Sequence, residues 1–132
     1  MEQDFVLYES AVKLREIGFI EPCLRVGNPH GHTVWKWYEV DADTVTVSVQ
    51  DVLDVEYGPE WVGIPTYAQA FRWFRNKGLL IDVSSNDLNV YEFYIKISRI
   101  RSVLSDSYAT HEDAERACLE KLIEIVKMQM EK

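Results

Sequence analysis

Leu7, Ala11, Leu14 and Ile17 recur at intervals of three and four residues, and Gly18 follows directly. That spacing predicts a helix from Tyr8 to Ile17 with one apolar stripe, closed by a glycine free to take a left-handed turn. Beyond it the period shortens. The stretch "CLRV" (23–26) is a brief strand candidate, and "HTVWKWYEV" (32–40) is rich in β-branched and aromatic residues that suit a pleated surface. The cleanest alternation lies in "TVTVSVQ" (44–50), with Val45, Val47 and Val49 on one side and Thr44, Thr46, Ser48 and Gln50 on the other. From Asp51 to Gly63 no period holds, and Gly58-Pro59 and Gly63 predict irregular backbone.

Helical spacing returns in "PTYAQAFRWFRNKG" (65–78). Tyr67, Ala70, Phe71 and Phe74 form the stripe, Thr66 is the expected N-terminal cap, and Gly78 the expected left-handed stop. In "LLIDVSSNDLNVYEFYIKISR" (79–99) two alternating runs flank a Ser-Ser-Asn-Asp-Leu-Asn turn, which predicts an antiparallel hairpin. Its second run puts Tyr91, Phe93, Ile95 and Ile97 on one face and Glu92, Tyr94, Lys96 and Ser98 on the other. A slip of one residue would bury Glu92 and Lys96 and expose the apolar row, so the register is firmly specified. A long closing helix starts at Thr110, a cap with Asp113 three residues on, and buries Ala114, Cys118, Leu122 and Ile125, flanked by Ala117 and Val126.

The order is helix, strands, helix, hairpin, helix. Hairpin-joined strands are antiparallel, and a sheet with one apolar face needs helices on that side. The expected fold is therefore α+β: a two-layer sandwich with an antiparallel sheet of about four to five strands and helices packed on one face. With 132 residues and no repeat or linker, residues 1–132 are expected to form a single domain.

Composition changes this picture little: 47% hydrophobic and 27% charged residues are ordinary globular usage. The N-terminus opens with acid and lacks a basic region followed by an apolar one, so no signal peptide is expected. A cytoplasmic location, with Cys23 and Cys118 reduced, follows as an expectation. Net charge is −8, and the segment from Glu39 to Glu60 holds seven acids and no base. That charge disfavours nucleic acid as a general partner.

Four groups of residues invite a chemical reading. His30 and His32 stand one residue apart, but Gly27-Asn28-Pro29 is turn chemistry, and zinc needs three or four converging ligands. Asp41 and Asp43 suit a metal or acid–base pair, although two acids in an exposed turn are more often merely hydrated. No metal, cofactor or catalytic residue is expected, and a metal-dependent hydrolase built on these four residues ranks last. Arg72, Arg75, Lys77, Arg99 and Arg101 form a candidate basic cluster able to serve a nucleic-acid-linked accessory factor. An acidic inhibitor imitating DNA through residues 39–60 is the variant of opposite sign. Trp35, Trp37, Tyr94 and Trp73 are candidate interface residues, since aromatic side chains on an open strand face mark contact surfaces. The favoured expectation is a non-enzymatic protein that binds an unidentified protein or itself, with no membrane involved.

Three stretches, "ESAVKLREIGFIEPC", "IPTYAQAFRWFRNKG" and "SYATHEDAERACLEKLIEIVK", together resemble a group of small, uncharacterised proteins carried by prophages and mobile elements of gut anaerobic bacteria. The likeness covers most of the chain outside residues 26–60. It implies a phage or mobile-element context and places "NPHGH" in the variable part. The group has no assigned activity, so it carries no site residue over to this chain.

Overall fold

The structure, a computed structural model, describes residues 4–21, 23, 25–30, 33–35, 61–85 and 90–131. Those residues form an α+β chain of three helices and six short strands. It divides into two compact units, residues 5–66 and residues 67–132 with residues 1–4.

In the first of these, α1 (Tyr8–Glu16) packs on β3 (Val62–Ile64). Helix α1 ends as its sequence predicts. Gly18 takes φ 103°, its N–H donates to the Arg15 carbonyl, and the Phe19 N–H donates to that of Leu14. This closes the last carbonyls of the helix, and Leu14 and Phe19 are both buried. β1 (Arg25–Gly27) lies between β2 (Thr33–Trp35) and β3 in a three-stranded antiparallel sheet, with Val26 opposite Val34 on one side and Gly63 on the other. Pro65 ends β3, its carbonyl accepting the Val6 N–H at 3.0 Å. Ala11, Leu14, Ile17, Cys23, Val26, Val62 and Ile64 are buried.

The second unit sets two helices against a three-stranded sheet. β4 (Leu80–Ser85), β5 (Tyr91–Lys96) and β6 (Ser102–Leu104) form an antiparallel sheet in chain order. α3 (His111–Met130) packs on β5 and β4, and α2 (Tyr67–Asn76) packs on α3 and β4. Ile81 lies opposite Ile95 and Val83 opposite Phe93, so one face of the hairpin is apolar. Phe93 and Ile95 are buried, along with Phe71 and Phe74 of α2 and Cys118, Leu119 and Leu122 of α3. The Thr110 hydroxyl accepts the Asp113 N–H at 3.1 Å and caps α3. Gly78, at φ 96°, closes α2 as Gly18 closes α1.

The expected single sheet of four to five strands needs correction: the described strands form two sheets of three, one per unit. The physical reason is pairing over distance. β3 folds back on β1, and Pro65, which has no N–H, then hands the chain to α2 instead of to the hairpin. Two strands escaped prediction. The expected irregular stretch from Asp51 to Gly63 overlaps the start of β3: Gly63 reads as a breaker, yet a Cβ there would lie 3.0 Å from the Cys23 sulfur, so glycine permits the close approach of that chain. β6 is only three residues long and carries too little pattern to register. Leu7, placed on the stripe of α1, is instead the exposed residue before the helix. The alternating row at Val45, Val47 and Val49 lies outside the described residues.

Candidate functional site

Alternation along β4–β5–β6 fixes an inner and an outer face. Opposite the buried row, Leu80 pairs with Lys96, Asp82 with Tyr94, Ser84 with Glu92, and Tyr94 with Leu104 on its other side. The outer face therefore has apolar side chains set among charges of both signs. Leu80 is 59% exposed, Tyr94 40% and Leu104 68%. Beyond Lys96 the chain makes a tight turn in which the Ile97 and Ser98 N–H groups both donate to the Arg101 carbonyl. At its tip Ile100 is 98% exposed between Arg99 and Arg101. Full burial of a large apolar side chain contributes about 1.5–3 kcal/mol. Four such side chains left in water on one sheet and its turn are the surface least explained by folding.

Of the aromatic residues singled out in the sequence, Tyr94 is exposed on this face, where the alternation of β5 puts it. Trp73 is half-buried on α2, edge-on to Phe74 at 5.0 Å, with the Lys77 ammonium 4.4 Å above its ring. Trp35 is opposite Arg25 in β2, and Trp37 lies outside the described residues. Leu80, Leu104 and Ile100 were missed. The signal for Leu80 was present, because an inward Ile81 forces its neighbour outward, while Leu104 needed the pairing partner that only the fold supplies.

The basic cluster is brought together in part. Only Lys77, Gly78 and Leu79 separate α2 from Leu80, which sits opposite Lys96, so Lys77, Lys96, Arg99 and Arg101 collect at one end of the sheet. Arg101 also flanks a shallow recess with Ile125, Met128 and Gln129 near the end of α3. Arg72 is exposed further back on α2. Arg75 is committed to structure, its guanidinium donating to the Ile81 carbonyl at 3.2 Å.

The opposite end of the same unit is acidic and aromatic. Tyr91 and Tyr108 exchange backbone hydrogen bonds at 2.8 Å, Phe93 stacks on Tyr108, and the His111 ring meets Tyr91 edge-on at 5.7 Å. His111 Nδ1 lies 3.2 Å from a Glu115 carboxylate oxygen one helical turn on. Burial raises the Glu115 carboxyl above its ordinary range; His111 works against that, and Glu112 and Asp4 add to it. Tyr67 is also raised by burial, against a hydrogen bond from Arg116 that favours its ionised form. This is a packed helix start with a titratable pair, and the acids of its first turn repel phosphate.

His30 is exposed, and its backbone N–H donates to Asn28 Oδ1 at 3.1 Å in a turn closed by the asparagine side chain. His32, Asp41 and Asp43 lie outside the described residues. Among the described residues no three His, Cys, Asp or Glu side chains gather in a way that would hold a metal ion. Both cysteines are free and buried, and burial pushes each thiol up to about 12. Among the described residues no helix is long and apolar enough to cross a membrane. Comparison with known proteins returned no match among protein families, curated proteins or solved structures.

Proposed function

We propose that the chain works by contact with another protein, through the outer face of β4–β5–β6, and carries out no chemistry of its own. The observation that supports this reading is the exposure of Leu80, Tyr94, Leu104 and Ile100 on one sheet and its turn. An apolar centre ringed by Asp82, Glu92 and Lys96 has the make-up of a contact patch with a polar rim. A cytoplasmic site of action and the mobile-element setting implied by the resemblance belong to the same proposal. The test compares bait proteins in a host lysate: wild type against the double variant Tyr94→Thr/Leu104→Thr, in which threonine keeps the strand preference and removes the apolar surface. Partners held by the wild type and lost from the variant support the reading. An identical bound set from both baits overturns it.

The second reading, nucleic acid held at Lys77, Lys96, Arg99 and Arg101 beside Tyr94, rests on the gathering of those bases at one sheet end. Lys77 is already over Trp73 and Arg75 on Ile81, which leaves few free cations for a phosphate chain. A gel-shift titration at low salt decides it, because an electrostatic complex is tightest there.

A further inference from the structure

The backbone of β6 gives this surface a direction. In an antiparallel pair, residues alternate between those that bond across to the neighbour and those whose N–H and C=O point away. The Ile97 N–H donates to the Arg101 carbonyl, and the Ser105 N–H to that of Phe93. With Ile95 opposite Val103 between them, residues 101, 103 and 105 face β5, and the polar groups of Ser102 and Leu104 face outward. The same alternation turns Ile81, Val83 and Ser85 outward on the far edge, but there Arg75 occupies the Ile81 carbonyl and α2 packs against the strand. Neither Ser102 nor Leu104 has its outward groups bonded among the described residues. Among the described residues, the β4 edge thus has an outward carbonyl already taken and a helix against it, while the outward groups of the β6 edge are unbonded.

We infer that the β6 edge, at Ser102 and Leu104, takes up an extended, acidic and apolar peptide segment of a partner protein as a fourth strand. This rests on the proposed contact role of the sheet and names the partner's chemistry. A strand laid beside β6 continues the outer rows already present. One row runs Asp82, Tyr94, Leu104, so the residue facing Leu104 extends its apolar end, Tyr94 and Leu104. The next row runs Leu80, Lys96, Ser102 and ends beside Arg101, so a residue two positions away meets positive charge. Arg99 and Arg101 are exposed and, among the described residues, engaged in no ion pair. Residues two apart share a face, so the pattern that both rows accept is an apolar residue followed two positions on by an acidic one. The net charge of −8 does not oppose this locally, since charges more than about 8 Å apart are largely screened at physiological salt.

The test uses a fluorescein-labelled peptide of about eight residues, one strand in length, in which every second residue is in turn Val or Ile and Asp or Glu, with Thr at the positions between. Its control has Lys or Arg in place of the acids. Fluorescence anisotropy with the intact chain is expected to show the acidic peptide binding at least about tenfold tighter than the control. Amide resonances of Ser102 and Leu104 shift on binding. Leu104→Pro removes an outward N–H that no bond within the sheet uses, and weakens binding by about tenfold or more. Arg99→Glu/Arg101→Glu has the same effect without touching the backbone, so the result does not hang on how β6 tolerates proline. Equal affinity for the two peptides, unchanged affinity in the charge-reversed variant, or shifts confined to Ile81 and Val83 overturn the inference. So does a dimer in light scattering that Leu104→Pro converts to monomer, because a second copy then owns the edge. If Tyr94→Thr/Leu104→Thr loses its partners while both edge tests fail, the contact face stands and only the edge assignment falls. If that variant keeps its partners, the face falls as well.

Discussion

Cys23 and Cys118 look alike in sequence, as lone small apolar residues, and the structure treats them alike. Each is almost fully buried, and burial raises each thiol from 9.0 to about 12, with Glu21 adding to the rise at Cys23 and Arg75 working against it at Cys118. Thiolate is the reactive form, so neither cysteine is expected to react with a disulfide reagent at neutral pH until urea unfolds the chain. A raised thiol also sets a sign for stability. Between pH 9 and 12 the folded chain keeps protons that the unfolded chain has lost. The contribution of the thiols to stability is full below pH 9 and declines above it, by at most about 1.4 kcal/mol per pH unit for each thiol. Urea midpoints measured from pH 8 upward check this. Glu115 carries the same sign at lower pH. Its raised carboxyl favours the protonated form in the fold, so its contribution is present below 4.5 and is lost as pH rises through the folded value. Glu115→Gln is expected to flatten the pH dependence of unfolding between pH 4.5 and neutrality.

The helices end where the chain supplies the chemistry to end them. Gly18 and Gly78 adopt positive φ, and in both motifs the next residue, Phe19 or Leu79, donates its N–H to a carbonyl five residues back and buries its side chain. The Gly-Phe and Gly-Leu pairs announce this in the sequence, since an apolar residue after a glycine stop is the partner the motif requires. Thr110 does the same for the start of α3. Thr110→Ala is expected to lower the stability of the chain by about 1 kcal/mol in urea unfolding followed by circular dichroism. Strands gave less away. The hairpin of β4 and β5 was legible because six alternating residues on each side fix one register. β3 and β6, with three residues each, draw their existence from partners distant in sequence or from a turn, and their own composition says little.

At the scale of the whole chain, charge and apolar surface are sorted by the fold in ways that a sum of residues conceals. The unit formed by residues 67–132 places Lys96, Arg99 and Arg101 at one end of its sheet and Glu112, Asp113 and Glu115 at the start of α3 by the other. Its inner face carries stability and its outer face carries the proposed contact, so the two are separable by mutation. Leu122→Ala, at a fully buried position of α3, is expected to cost about 2–5 kcal/mol. Tyr94→Thr/Leu104→Thr, on the outer face, is expected to change stability by no more than about 0.5 kcal/mol. Urea unfolding of both variants beside the wild type measures the contrast.

The sequence by itself determined what is local: three amphipathic helices, two glycine stops and the Thr110 cap, the register of one hairpin, the burial of its Phe93 and Ile95 row, and the α+β class. Each follows from the spacing of apolar residues or from a short-range bond that a single side chain or glycine makes possible. Tertiary structure decided the rest. It set β3 against β1, divided the described strands between two sheets, and left β6 as an open edge with Leu104 and Ile100 in water. Such pairings join residues far apart in the chain, and the free energy that selects them comes from surfaces that exist only once the partners have met.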